Sequence, residues 1–219
     1  MHFRPRVKIC CIKSLYEARI AIEYGASAIG LVGPMPSGPG IIADDLISKI
    51  VHKIPPPIAT FLLTSETTAD QIINHHKKVN TSAIQIVDRL DLNSYDQIKQ
   101  ALPGIKLIQV IHVVNENSIK EAKIVAPNVD AILLDSGDPN KEVKELGGTG
   151  RIHDWELSRE IVKETNTPVF LAGGLTPANI KAAIQKVKPF GVDICSGLRT
   201  KGKLDEAKLS KFMNIIIRI

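Results

Sequence analysis

Short β-branched apolar runs alternate along the chain with longer stretches in which apolar and polar positions repeat at the helical period. The apolar runs are VKICCI (7–12), AIGLV (28–32), IATFLL (58–63), AIQIV (83–87), KLIQVIHVV (106–114), DAILLD (130–135), PVFLAG (168–173) and GVDICSG (191–197). After each comes a helical pattern, in order SLYEARIAIEYG, ADDLISKIVHKI, TADQIINHHKKV, NSYDQIKQAL, ENSIKEAKIVA, DWELSREIVKET, TPANIKAAIQKV and LDEAKLSKFM. Runs that are apolar at nearly every position predict strands covered on both faces, as in parallel sheets flanked by helices. Eight strands alternating with eight helices predict a closed (β/α)8 barrel, with residues 1–219 forming one domain. A doubly wound open sheet is the alternative, and the strand count speaks against it.

Local signals agree with the helices. Ser14 stands three residues before Glu17, the spacing of a capping box, and Gly25 ends that pattern. Thr176-Pro177 supplies a cap and a first-turn proline for the seventh helix.

Composition narrows the class. Apolar residues make up 44%, charged residues 23%, and mean hydropathy is +0.05, which fits a soluble globular chain. The N-terminal MHFRPRVKIC lacks a signal-length apolar core and no run reaches a membrane span, so a cytoplasmic protein without a membrane partner is expected. The net charge of +5 comes from lysines spread along the chain, and aromatics are only 4%. That pattern favours a phosphorylated small molecule over nucleic acid as partner. No feature of the pattern sets an oligomeric state.

Barrel chemistry sits at the C-terminal ends of the strands. Gly173-Gly174 after the seventh strand and Ser196-Gly197 after the eighth are expected to hold phosphate through backbone N–H groups. A third cluster, ELGGTGRIHDW (145–155), includes Gly148 and is expected to fold over the same ligand. Asp135 ends a buried strand, where a carboxyl is poised for general acid work; a turn or capping Asp is the other reading. Asp193 is a second carboxylate near the phosphate loop, expected to orient ligand hydroxyls or backbone amides, and His112 at the end of the fifth strand is a possible substrate contact.

The cysteines pose a separate question. Only Cys10, Cys11 and Cys195 occur, an odd count that argues against a disulfide scaffold. Neighbours on a strand face opposite ways, so one of Cys10 and Cys11 is expected to face a site while the other packs outward.

The series KIC, GASAIGLV, LLDS, GGTG…DW, LAGGL.P.N and GVD.CSG resembles phosphoribosylanthranilate isomerase, in the correct order through nearly the whole chain. The resemblance implies a (β/α)8 barrel performing an Amadori rearrangement in tryptophan biosynthesis, with neither metal nor cofactor. It implies that Cys10 is the general base and Asp135 the general acid. Cys11 then occupies a position where the family usually has Gly, and its replacement by Gly should be tolerated.

Two stretches depart from the family pattern. After the second strand the family carries Ser-Pro-Arg, whose Arg binds the anthranilate carboxylate; this chain reads GPMPSGPGII, without Lys or Arg between Leu31 and Lys49. After the fourth strand the family reads Gln-Leu-His-Gly; here QIVDR puts Val87 at the His position. Lys13, Arg89, His112 and His153 are the candidates to replace the missing contacts. A barrel enzyme on a different phosphorylated substrate, and a non-catalytic phosphate-binding barrel, are the alternatives.

Overall fold

A computed structural model describes residues 4–36, 38–137 and 150–219. Eight parallel strands close into a barrel: β1 (Arg6–Ile9), β2 (Ala28–Val32), β3 (Ala59–Thr64), β4 (Ala83–Ile86), β5 (Lys106–His112), β6 (Ala131–Asp135), β7 (Val169–Leu171) and β8 (Gly191–Ile194). The barrel closes where β8 pairs with β1, in the register Lys8↔Asp193 and Ile9↔Ile194. The outer ring is α1 (Leu15–Glu23), α2 (Asp44–Val51), α3 (Ala69–Val79), α4 (Leu92–Ala101), α5 (Asn117–Val125), α6 (Trp155–Glu164), α7 (Ile180–Val187) and α8 (Glu206–Ile217). The alternation of the sequence pattern thus maps one run to one element, and the open sheet is excluded. Among the described residues, no helix is long and apolar enough to cross a membrane.

The strands are apolar throughout because they serve two cores. One set of side chains, including Ile9, Leu31, Leu62, Ile84 and Leu134, packs outward against the helices. The alternate set, including Phe61, Leu63, Ile108, Val110 and Leu133, fills the barrel interior. Lys8 and Asp193 break that interior, and both are buried.

Several local expectations need correction. Strand β1 stops at Ile9, before the cysteines, and β8 stops at Ile194. Ser14 does cap α1 by accepting from Glu17 N, but Glu17 does not return a bond to Ser14. Its carboxylate instead accepts from Lys13 N, Leu204 N and Arg199. The helix α7 starts at Ile180 rather than beside Thr176-Pro177, with Asn179 at its cap. The sequence pattern also did not reveal a two-stranded hairpin, β9 (Arg199–Thr200) and β10 (Lys203–Leu204), which carries Arg199 back toward β1.

Candidate active site

The C-terminal mouth of the barrel holds a cavity whose wall includes Cys10, Gln85, Asp135, Gly173, Gly174 and Ser196. Both proposed acid–base residues therefore reach one space, Cys10 from just past β1 and Asp135 from the end of β6. Asp135 stands last in its strand, where its Oδ1 accepts a 2.7 Å bond from Ser136 N. That contact holds one carboxylate oxygen on the backbone.

Beneath Cys10 lies a group not singled out from the sequence. Lys8, two residues earlier and within β1, is fully buried, and its Nζ sits 2.7 Å from Asp193 Oδ2. Burial works against its charge, but Asp193 and Cys10 outweigh burial and hold the ammonium above its ordinary range. Gly30 on β2 makes room for this arrangement. A Cβ there would lie 2.7 Å from Cys10 Sγ and 3.0 Å from Lys8 Nζ. The clue was in the run VKICCI: a lysine inside a strand buried on both faces needs a counter-ion.

Asp193 lines the cavity floor as the counter-ion of Lys8 through Oδ2, a more specific role than a carboxylate near a phosphate loop. Gly173 and Gly174 have φ of 76° and 63°, in the left-handed region that favours glycine. A Cβ on Gly174 would lie 2.6 Å from the Arg151 carbonyl group, so the loop after β6 rests on this turn. Gly197 does not line the cavity; it lies beneath Leu175, whose carbonyl oxygen would be 2.0 Å from an added Cβ. Asn179 ties the same region together, donating to Gly174 O and accepting from Thr176 N. Gly148 lies outside the described residues.

Cys11 departs from the expected alternation. The strand has ended, the residue adopts φ 61°, and its side chain lines the same cavity as Cys10 instead of packing outward. Arg199 fixes this turn, donating to the carbonyls of Cys10 and Cys11 while paired with Glu17 at 3.1 Å.

The candidate replacement contacts sit as follows. His112 pairs in register with Asp135, but its Nε2 is engaged with Val87 O at 3.0 Å and its ring is not part of the cavity wall; Val87 is. Arg89 bonds Glu121 at 3.1 and 3.3 Å, away from the cavity wall. Lys13 is exposed and also outside that wall. His153 meets Ser158 Oγ at 2.7 Å through Nε2, with Nδ1 turned toward Gly173; burial lowers its basicity. Val32, Met35, Leu63 and Val87 give the cavity an apolar wall. Among the described lining residues there is no Lys or Arg.

The family model for N-(5'phosphoribosyl)anthranilate (PRA) isomerase matches residues 7–215. The chain belongs to this isomerase family. An N-(5'-phosphoribosyl)anthranilate isomerase 2 of Methanosarcina mazei is 38% identical over 95% of this chain and 92% of its own length. The crystal structure of phosphoribosyl anthranilate isomerase from Thermotoga maritima is 28% identical with a TM-score of 0.84, covering 98% of this chain and 100% of that one. Another isomerase structure, in complex with reduced 1-(o-carboxyphenylamino)-1-deoxyribulose 5-phosphate, is 25% identical with a TM-score of 0.81 over 98% and 100% of the two chains. This member of the isomerase family has a thiol and a carboxyl on one cavity and presents an apolar wall beside them.

Proposed function

We propose that this chain isomerises N-(5'-phosphoribosyl)anthranilate to the corresponding 1-amino-1-deoxyribulose phosphate. The observation that carries the reading is the shared cavity of Cys10 and Asp135, with the Lys8 ammonium beneath the thiol. Asp135 as general acid protonates the ring oxygen of the aminoaldose, and the ring C–O bond opens to an iminium. Cys10, as thiolate, then removes the proton from the adjacent sugar carbon, giving an enolamine that tautomerises to the ketone. The Lys8 cation lies next to the base but outside the cavity wall, so it adds no competing acid to the open cavity. The phosphate is assigned to the turns at Gly173-Gly174 and Ser196, which line the cavity. No cofactor or metal enters this scheme.

The apolar wall at Val32, Met35 and Val87 suits the aromatic ring but supplies no cation for its carboxylate. Binding of phosphoribosylanthranilate is therefore the weak step, and the same wall favours a second reading, an aminoaldose phosphate with an uncharged N-substituent. Rescue of a tryptophan auxotroph lacking the isomerase, together with chromatographic detection of the aminoketose product, tests the first reading. Failure of both, with turnover of an uncharged N-aryl analogue, would support the second.

A further inference from the structure

The three cysteines, far apart in sequence, meet at one corner of the cavity mouth. The rung Ile9↔Ile194 is the last before them, and Cys10 N donates to Ile194 O at 2.9 Å. The Cys11 thiol is within hydrogen-bonding reach of both Cys10 and Cys195. Its position is tightly defined. Arg199 grips the Cys11 carbonyl, and Gly40 packs so closely that a Cβ there would lie 3.0 Å from Cys11 Sγ. All three thiols are free.

Their surroundings differ. Cys10 and Cys11 are buried, whereas Cys195 is partly open to the mouth and meets a soluble reagent first. The hydrogen bond from Cys11 pulls the Cys195 thiol down against burial, helped by the Arg199 charge, while Cys11 itself is pushed up. Cys11 and Cys195 both lie just past the Ile9↔Ile194 rung, on separate turns that meet at the cavity wall, so each thiol is free to turn toward the other. Cys10 and Cys11, as chain neighbours, lack that freedom.

We propose that Cys195 and Cys11 form a peroxide-reactive thiol pair whose oxidation closes a disulfide between the turns after β8 and β1. The Cys195 thiolate attacks a hydroperoxide: an S–O bond forms, the O–O bond breaks, and the released hydroxide leaves as water after taking a proton. The Cys11 sulfur then attacks the sulfenic sulfur. An S–S bond forms, the S–O bond breaks, and hydroxide departs with the Cys11 proton as water. Two thiols lose two electrons, and hydrogen peroxide is reduced to two waters.

The test uses the full chain, treated with equimolar hydrogen peroxide, alkylated, and digested with trypsin without reduction. The expected product joins peptide 9–13 to peptide 187–199 and disappears on treatment with dithiothreitol. Fragmentation of that product between Cys10 and Cys11 assigns the bond in the native chain, without any variant. Cys10→Ser should still give the cross-link and Cys11→Ser should not. A cross-link through Cys10, or Cys195 recovered unmodified or only as sulfinic acid, would overturn the proposal. The readout is a mass, so it stands apart from whether the chain isomerises phosphoribosylanthranilate.

Discussion

Lys8 and Asp193 form an ion pair of 2.7 Å inside the barrel, with Lys8 fully enclosed and Cys10 directly above it. The ammonium also lies 5.4 Å over the Phe61 ring, so it is held from two sides. A buried pair of this kind contributes little net stability by itself, but removing one partner strands the other.

Lys8→Met should therefore cost about 3–5 kcal/mol by leaving Asp193 unpaired, and the double variant Lys8→Met/Asp193→Asn should regain most of it. Turnover separates the two effects. In the double variant, kcat at pH 7 should stay at least about tenfold below the native chain, because the base at Cys10 has lost the cation beneath it. Native turnover in the double variant would mean that Lys8 serves only the fold.

Cys11→Gly should be tolerated, though for a different reason from strand alternation. The φ of 61° costs a side-chain-bearing residue about 1–2 kcal/mol, which Gly relieves. Losing a buried thiol against Gly40 offsets most of that gain, at about 1–2 kcal/mol. The urea midpoint should shift by no more than the equivalent of about 1 kcal/mol. Cys11→Val, which adds branching at the same φ, should be clearly less stable.

The Glu17–Arg199 pair makes stability depend on acid. Burial opposes the Glu17 charge, but bonds from Arg199, Leu204 N and Lys13 N win and hold its carboxyl below the ordinary glutamate range. The folded value is depressed, so the contribution is complete above the unfolded value and is lost as pH falls through the folded one. Glu17→Gln should cost about 3 kcal/mol at pH 7, and that difference should shrink below about pH 4. Denaturant midpoints of the two chains at pH 7 and pH 3.5 check this; a gap independent of pH would contradict it.

Pro39 lines the cavity in the loop after β2, whereas Gly38 beside it has φ 115° and accepts a side chain poorly. Pro39→Arg should lower KM for phosphoribosylanthranilate by roughly 10- to 150-fold, the worth of one charge-assisted hydrogen bond of ~1.5–3 kcal/mol. A native KM already in the low micromolar range would show that the carboxylate has another partner.

The barrel was legible because apolar runs and helical periods are local signals, and eight of each fit one architecture. The placement of Cys10, Asp135 and the Gly173-Gly174 turn on one cavity was legible because they stand at strand ends within a recognisable series. The Lys8–Asp193 pair was hidden because its partners are 185 residues apart and only barrel closure joins them. Arg199 was hidden for the same reason, acting on the Cys10 and Cys11 carbonyls from a hairpin with two-residue strands. The orientation of Cys11 failed because strand alternation was extended one residue past the point where β1 ends. His112 follows the inward parity of β5, yet its ring bonds the backbone of Val87, a choice that side-chain spacing does not reveal.

The central claim is that Cys10 and Asp135 act as the base and acid of one reaction. Single-turnover and steady-state rates on phosphoribosylanthranilate should be measured for Cys10→Ser and Asp135→Asn at saturating substrate. Each variant is predicted to lose at least ~100-fold in kcat while retaining affinity for the phosphorylated product. Near-native kcat in either variant would contradict the assignment.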